Sequence, residues 1–165
     1  MTDEPAFTIR PLDETHRAWA IETARAWWGS QIVVSRGTIH DVATLRGFVA
    51  LREDADEPIG LATYHVAGDA CELVTLVTLV EGIGAGSALI DAVRAQAQAA
   101  GCRRLWLITT NDNTPAIRFY QKRGFRLAAV HPDAVTESRR LKPEIPLLGV
   151  DGIPIRDELE FELML

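Results

Sequence analysis

The 165-residue sequence predicts an α/β domain built on a mixed sheet of six to seven strands that is flanked by helices. In the middle of the chain, strand-like runs joined by short polar connections favour an antiparallel meander. After them, strand-like and helix-like runs alternate, which favours parallel pairing in part of the sheet. We take residues 1–165 as one domain, because a chain of this length can bury roughly two-thirds of its unfolded surface.

The first predicted elements are a strand and a helix. Phe7 and Ile9 alternate with polar neighbours and predict a strand that ends at Pro11. Asp13 is a residue type that caps helix N-termini, and Gly29 is a residue type that ends helices. We therefore expect one helix between these two residues.

A less regular segment leads into the antiparallel part of the sheet. Within residues 30–46 we expect a short extended piece over residues 32–35 and a helical turn that starts at Asp41. The polar connections DADEP and AGDA then separate strand-like runs. These runs cover residues 48–52, 59–66 and 71–80.

Helices and strands alternate in the second half of the chain. A helix with an apolar face begins at Ala85 and has Gly101 as its C-cap, and residues 104–110 are strand-like. Another helix starts near Asn113, with Pro115 in its first turn, where proline is favoured. The last predicted elements are a strand over residues 125–130, a short helix over 133–141 and a closing strand over 159–163.

Composition and charge argue against several function classes. The formal net charge of −6 argues against nucleic acid as the main partner, and no His, Cys, Asp or Glu cluster has metal-ligand spacing, so we expect no metal. Cys71 and Cys102 lie in apolar contexts and predict buried free thiols in a reducing compartment. The acidic N-terminus does not resemble a signal peptide, and no apolar run reaches the roughly 20 residues of a membrane span. We expect a cytoplasmic protein that does not contact membranes.

Three glycines at alternate positions mark one junction between a predicted strand and a predicted helix. The stretch LVEGIGAGSALI contains Gly82, Gly84 and Gly86. It lacks the spacing of a dinucleotide-binding turn and the lysine of a P-loop. Two interpretations are left. One is a flexible turn with a helix cap, and the other is a pyrophosphate cradle, in which the unpaired N–H groups of a helix start bind phosphate with no Cβ in the way.

The glycine junction resembles the acetyl-CoA loop of the GNAT acetyltransferases, whose pattern is Arg or Gln, two residues, Gly, one residue, Gly or Ala. Gly84 and Gly86 match the last two fixed positions, whereas Glu81 stands at the first and departs from the pattern. A second stretch, NTPAIRFYQKRGF, is similar to another motif of that family. The matching residues there are Asn113, Ala116, Tyr120, Gly124 and Phe125.

This resemblance implies a fold and a cosubstrate. The fold is GNAT-like, with a bulge that splays the strand before the glycines from its parallel neighbour. The cosubstrate is acetyl-CoA, whose pyrophosphate would lie on the glycine loop and whose pantetheine arm would pair like an extra strand with the preceding backbone. The residues implied to bind it are Leu76, Val77, Thr78, Gly82, Ile83, Gly84, Ala85, Gly86, Ser87 and Asn113.

Two residues are candidate catalytic groups. Tyr120 resembles the tyrosine that this family places near the thioester sulfur, and a phenol with a pKa of about 10 is a proton donor at neutral pH. Glu72 resembles the glutamate that opens the strand before the loop in some members, where it could act as a base. The alternatives are a core aromatic at Tyr120 and a solvent-facing strand residue at Glu72. A backbone N–H near Leu76 would be the oxyanion donor.

Further residues are weaker candidates because each has a structural interpretation that is at least as good as the functional one. Lys122 and Arg123 either supply cations to the phosphates or lie on a solvated helix face. His40, Asp41 and His65 are of residue types that are more often structural. Trp27 and Trp28 either line an acceptor pocket or fill the core.

The resemblance makes an N-acetyltransferase the leading hypothesis, with direct acetyl transfer to an amine of a small molecule or a peptide. The alternative is an acyl-CoA sensor without turnover, which Glu81 favours slightly. A nucleotide-binding redox protein fails on motif spacing. Homodimers are common in the family, but nothing in the sequence identifies an interface. The acceptor would be selected by the variable regions 27–46 and 131–156, which carry no motif.

Overall fold

The computed structural model describes residues 6–165. Seven of the strands in this range form one large sheet, and helices lie on both of its faces. The elements in chain order are β1 (Phe7–Pro11), α1 (Glu14–Trp28), β2 (Ile32–Ser35), β3 (Thr38–Asp41), β4 (Arg46–Arg52), β5 (Pro58–Ala67), β6 (Ala70–Thr78), α2 (Ala85–Ala99), β7 (Arg104–Thr110), α3 (Thr114–Lys122), β8 (Arg126–His131), α4 (Ala134–Leu141) and β9 (Glu158–Met164). The predicted mixed α/β fold is confirmed, with seven strands in the main sheet.

Two predictions bear on the N-terminus and on membranes. The expectation that the N-terminus is not a signal peptide falls in part on residues 1–5, which lie outside the described residues. Over residues 6–165, no helix combines the length and the apolar character needed to cross a bilayer.

The predicted caps of α1 are present. The Asp13 carboxylate accepts a hydrogen bond of 2.9 Å from the backbone N–H of Thr15. At the other end Gly29 adopts a left-handed conformation with φ of 74°, and its N–H donates to the Arg25 carbonyl. The cap residues therefore fix both ends of a helix whose buried side faces the sheet.

The irregular segment before β4 contains a β-hairpin, and the sequence pattern predicts only the first of its two strands. The expected extended piece is β2, but its partner β3 was not predicted. The two are joined by Arg36 and Gly37, which have φ of 48° and 75°. A two-residue hairpin turn of this type usually has Asn or Asp first, so an arginine there gives no turn signal. The predicted turn at Asp41 is present directly after β3, where Thr44 and Leu45 donate to the Asp41 carbonyl.

The sheet lies between α2 on one face and α1 on the other. The α2 cluster includes Leu89, Val93, Leu105, Leu107 and Phe161, and the α1 cluster includes Ala20, Ala24, Val49, Leu51 and Leu61. Cys71 and Cys102 are buried free thiols in the α2 cluster, as predicted. Both faces of the central strands are thus covered, which leaves the strand ends and the gap between strands for a site.

The strand order across the sheet is β1-β4-β5-β6-β7-β9-β8, while β2 and β3 pair only with each other. Within residues 6–165, β6 and β7 form the only parallel pair, so the alternating strands and helices of the second half produce one parallel pair of strands. The reason is β9, which inserts between β7 and β8 and runs antiparallel to both. A closing strand at the end of the chain carries no local signal for this insertion.

The parallel pair is short, as the predicted splay requires. Ala70–Glu72 pairs with Arg104–Trp106, and no further register pair joins these two strands. Beyond Glu72, Val74 forms a bulge, because Leu73 lies opposite Tyr64 while Thr75 lies opposite Thr63. The bulge bends β6 away from β7, and a V-shaped gap opens from Glu72 onward.

Candidate active site

The glycine loop leads from the end of β6 into the first turn of α2. Gly82 and Gly84 have φ of 78° and 83°, a conformation that side chains other than glycine adopt with strain. A Cβ added to either residue would meet no atom within 4 Å, so the loop faces open space. Gly84 is the N-cap of α2, and no side chain caps the helix start. The first-turn N–H groups are therefore available to an anion.

Gly86 has a different role from the other two glycines. A Cβ on it would lie 3.0 Å from Cζ of Phe119, so the missing side chain lets α2 pack against α3. The three alternating glycines thus combine two functions: a left-handed, open loop at Gly82 and Gly84, and a close helix contact at Gly86.

Positive charge reaches the loop from α3. The Arg123 Nε donates a hydrogen bond of 2.9 Å to the Ser87 hydroxyl, and its guanidinium stacks 3.3 Å from the Phe119 ring centroid. Arg123 therefore lies beside the start of α2 rather than on a free helix face. Lys122 is exposed and borders a shallow pocket beside it, together with Arg118. Glu81 is exposed too, so solvent screens its repulsion of a phosphate.

A groove of about 230 Å³ continues from the loop into the V-shaped gap. Leu76, Val77 and Thr78 of β6 form one wall. Pro115, Ala116, Phe119 and Tyr120 of α3 form the other, and Trp27 and Glu81 also border the groove.

The backbone of β6 presents specific groups to this groove. The Leu79 N–H donates to the Ile59 carbonyl of the neighbouring strand β5 at 2.8 Å. Because backbone groups alternate in direction along an antiparallel strand, those of Val77 point to β5 and those of Leu76 and Thr78 point into the gap. Leu76 and Thr78 can therefore pair with an extended ligand, whereas Val77 contributes to the wall alone.

Tyr120 lies half-buried against the groove on α3. Phe119 and Phe125 contact its ring edge-on at centroid distances of 5.3 and 5.5 Å and fix its orientation. Burial raises the pKa of Tyr120 above its ordinary 10.0, although the nearby Arg123 charge opposes the shift. The phenol therefore keeps its proton across the neutral and mildly alkaline range.

Glu72 lies where the parallel pairing of β6 and β7 ends. It is only 5 % exposed, so the alternative interpretation of Glu72 as a solvent-facing strand residue is wrong. Its Oε2 lies 3.3 Å from Nε2 of the buried His40 on β3. The contact is within ion-pair distance, but its angle is not that of a hydrogen bond. His40 in turn lies against the exposed ring of His65, with a centroid distance of 5.4 Å. These two histidines link Glu72 to an open surface pocket of about 480 Å³.

Glu72 borders a second cavity, of about 200 Å³, on the other side of the gap from Tyr120. Its lining comes from the end of α1, β2, β6, β7, α4, the segment after α4, and β9: Trp28, Val33, Val34, Ser35, Glu72, Val74, Ile108, Thr109, Thr110, Val135, Ser138, Ile145 and Glu158. Trp27 borders the groove and the adjacent Trp28 borders this cavity, so both spaces reach the end of α1. The two candidate catalytic residues therefore approach one gap from opposite sides.

The remaining candidates divide between structure and site. The Asp41 carboxylate accepts from Gln31 and from the Ala43 N–H, which is a structural role in the turn. Trp27 is 56 % exposed and belongs to the groove, so the core interpretation is wrong for it. Asn113 caps α3 by accepting from the Ala116 N–H at 3.3 Å, which leaves its amide N–H groups for a ligand.

Glu158 and Ser35 were missed by the sequence analysis. Glu158 is 3 % exposed and borders the same cavity as Glu72. It alternates with Glu160 and Glu162 along β9, and nothing in that pattern separates it from these two neighbours, which pair with Arg104. Ser35 ends β2 in a segment whose partner strand was itself unpredicted. No sequence signal could have found either residue alone.

No group of three or more His, Cys, Asp or Glu side chains within residues 6–165 could hold a metal ion. The open loop, with Arg123 beside it, suits a diphosphate, and the unpaired β6 edge suits an amide-containing arm.

Comparison with known proteins gives a consistent picture. The sequence model of the acetyltransferase (GNAT) family matches residues 7–125. The protein YdhI of Bacillus subtilis is 47 % identical over 138 residues, which cover 84 % of this chain and 85 % of that protein. A GNAT family acetyltransferase from Elizabethkingia anophelis, solved with acetyl-CoA bound, superposes with a TM-score of 0.72 at 16 % identity and covers 96 % of this chain and 98 % of its own. That last likeness concerns the fold alone.

The loop can be tested with matched glycine variants. Gly84→Ala should weaken coenzyme A binding about tenfold, because the new methyl group lies in the phosphate's path and strains the loop. Gly101 is the control: it has φ of 80°, equally open surroundings and a place at the far end of α2. Gly101→Ala should cost similar folding stability and leave the affinity at the wild-type value. Calorimetric titration with coenzyme A measures the affinities of the two folded variants, and equal affinities would contradict a pyrophosphate cradle at the glycine loop.

Proposed function

We propose that this chain, which belongs to the acetyltransferase (GNAT) family, transfers an acetyl group from that family's cosubstrate, acetyl-CoA, directly to the amine of a small molecule. One observation carries the proposal. The pairing of β6 with β7 stops after Glu72, and beyond this point β6 borders both the groove of Tyr120, next to the glycine loop, and the cavity of Glu72.

The loop and the groove would bind acetyl-CoA in a fixed direction. The first-turn N–H groups of α2 and the Arg123 charge favour the pyrophosphate end. From there the backbone groups of Thr78 and Leu76 can pair with the pantetheine arm, and the Asn113 amide can donate to it. When bound, acetyl-CoA supplies a thioester, which is an activated acyl group.

Glu72 is the group proposed to accept the amine's proton. A protonated amine has no lone pair to attack a carbonyl carbon, and an alkyl ammonium has a pKa of about 10. The Glu72 carboxylate, buried and held near His40, can take this proton directly or through one water. The nitrogen then forms its bond to the acetyl carbon, and the carbon–sulfur bond breaks.

Tyr120 and Leu76 are proposed to stabilise the charges that develop. The Leu76 N–H points into the gap and would donate to the carbonyl oxygen as negative charge gathers on it. Tyr120 would give its proton to the departing sulfur, and its raised pKa keeps that proton available. The nitrogen loses its second proton as the amide forms, and this proton would restore the Tyr120 phenol. The products are the N-acetylated amine, the free thiol of coenzyme A and the one proton that Glu72 accepted.

The shape of the cavity favours a small acceptor over a peptide. Its volume of about 200 Å³ lies below the usual range for drug-sized ligands, and the hairpin and α4 cover it. Membership of an acetyltransferase family also favours an enzyme over a sensor that only binds acyl-CoA. Glu81, the residue that favoured a sensor, is exposed and leaves the backbone N–H groups of the loop unobstructed.

Tyr120→Phe should lower the rate of acetyl transfer about a hundredfold and leave the affinity for coenzyme A nearly unchanged. The substitution removes the proton donor and keeps the ring between Phe119 and Phe125. Because burial raises the pKa of Tyr120, the wild-type rate should show no decline from its ionisation up to about pH 10. Tyr64, which borders a different pocket, supplies the control variant Tyr64→Phe. Single-turnover rates with n-butylamine measure the effect, and equal rates for the two variants would remove Tyr120 from the mechanism.

Glu72→Gln should reduce acetyl transfer most at low pH. The carboxamide keeps the size of the side chain but accepts no proton, and at alkaline pH neutral amine is already abundant in solution. The deficit should therefore shrink as the pH rises. Single-turnover rates across the pH range at saturating acetyl-CoA measure it, with the exposed Glu57→Gln as the control. Parallel profiles for Glu72→Gln and wild type would show that Glu72 is structural.

A further inference from the structure

We infer that the acceptor is a small aliphatic diamine, bound with its two ammonium ends at opposite ends of the Glu72 cavity. This inference rests on the proposed acetyl transfer and adds the substrate class. It comes from the distribution of polar and apolar groups around the cavity, which places one buried carboxylate at each end and hydrocarbon between them.

The two carboxylates are separated along the sheet. Glu72 lies in register with Trp106 of β7, and Glu158 lies in register with Thr110. These two β7 positions are four residues apart, which corresponds to about 13 Å of strand. Both glutamates border one cavity, so their side chains approach it from the two ends of that distance.

The walls between the carboxylates are mostly apolar. Side chains from six different elements or loops contribute methyl and methylene groups or an aromatic ring there: Trp28, Val33, Val74, Ile108, Val135 and Ile145. A polymethylene chain buries apolar surface against such walls, whereas a hydroxylated or carboxylated chain would lose hydrogen bonds to water. The volume of about 200 Å³ limits that chain to a short one.

The charge of the cavity is negative. No lysine or arginine is among its described lining residues. Arg36 contacts Glu158 from the surface, with its backbone N–H at 3.2 Å and its exposed guanidinium at 3.4 Å. Lys142 is buried behind the hairpin, but its ammonium donates to the Ile32 carbonyl, and burial lowers its pKa. A carboxylate accepts up to about four hydrogen bonds, so Glu158 can still accept from a ligand.

Ser35 is the second, independent indication of a ligand at the Glu158 end. It borders the cavity, is 5 % exposed, and its hydroxyl oxygen has no hydrogen-bond partner among residues 6–165. A buried hydroxyl without a partner is costly, and native proteins rarely leave one. An ammonium group bound between Ser35 and Glu158 would donate to both and complete the hydrogen bonding of this end.

The wild-type test compares acceptors of equal length. With acetyl-CoA saturating, 1,4-diaminobutane should have a kcat/KM at least about tenfold above that of n-butylamine, since its second ammonium adds charge-assisted hydrogen bonds. 4-Aminobutanoate, which has a carboxylate in place of the second ammonium, should be poorer than either, because that carboxylate would face Glu158. Equal kcat/KM values for the diamine and the monoamine would overturn the inference.

Variants test whether the preference for the diamine over the monoamine comes from the Glu158 end of the cavity. Glu158→Gln should bring the ratio of diamine to monoamine close to one, while its side-chain oxygen can still accept from the Arg36 N–H. Ser35→Ala should lower the ratio about threefold. Glu160→Gln is the matched control, two residues along β9 and paired with Arg104 and His131 instead of the cavity, and should keep the wild-type ratio. An unchanged ratio in Glu158→Gln would overturn the inference. If Glu158→Gln does not fold, Ser35→Ala decides in its place.

A binding measurement separates this inference from the proposed function. If no amine is acetylated, the proposed transfer fails. Calorimetric titration of each amine into the coenzyme A complex then decides the inference alone. Tighter binding of 1,4-diaminobutane than of n-butylamine would support the diamine site, and equal binding or none would overturn it.

Discussion

The site depends on one constraint, the hydrogen bonding of the β6 backbone. Buried N–H and C=O groups must find partners, and a strand inside a sheet finds them on both sides. After Glu72, β6 bonds to β5 alone, because the Val74 bulge turns it away from β7. The unpaired groups of Leu76 and Thr78 need a partner, and the proposed extended ligand with amide groups would supply it. The positions of Tyr120 on one side of the gap and Glu72 at its vertex follow from this opening.

The charges around the opening match two substrates of opposite sign. On the loop side, Arg118, Lys122 and Arg123 lie on or directly after α3, close to the start of α2, where phosphates are favoured. On the other side, Glu72 and Glu158 border a cavity with apolar walls, where an amine is favoured. In the proposed reaction, this separation of charge would keep the anionic cosubstrate out of the Glu72 cavity and a cationic acceptor off the glycine loop.

Local patterns predicted the parts of the site that local structure determines. Glycine conformation and helix capping gave the loop at Gly84 and the α3 start at Asn113, and alternation gave β7 with its observed bounds. The acceptor side was not predictable in the same way. Glu158, Glu160 and Glu162 share one alternation, and only the insertion of β9 and the fold of the β2 hairpin bury the first of them. Burial of this kind arises from tertiary contacts between residues that are far apart in the chain.

The most direct measurement is a crystal structure of the chain with coenzyme A. The account predicts the pyrophosphate on the N–H groups at Gly82–Ser87, the pantetheine amides bonded to the backbone of Leu76 and Thr78, and the sulfur within hydrogen-bonding distance of the Tyr120 hydroxyl. Coenzyme A bound elsewhere, or in the groove with the Leu76 and Thr78 backbone groups unpaired and the sulfur away from Tyr120, would contradict it.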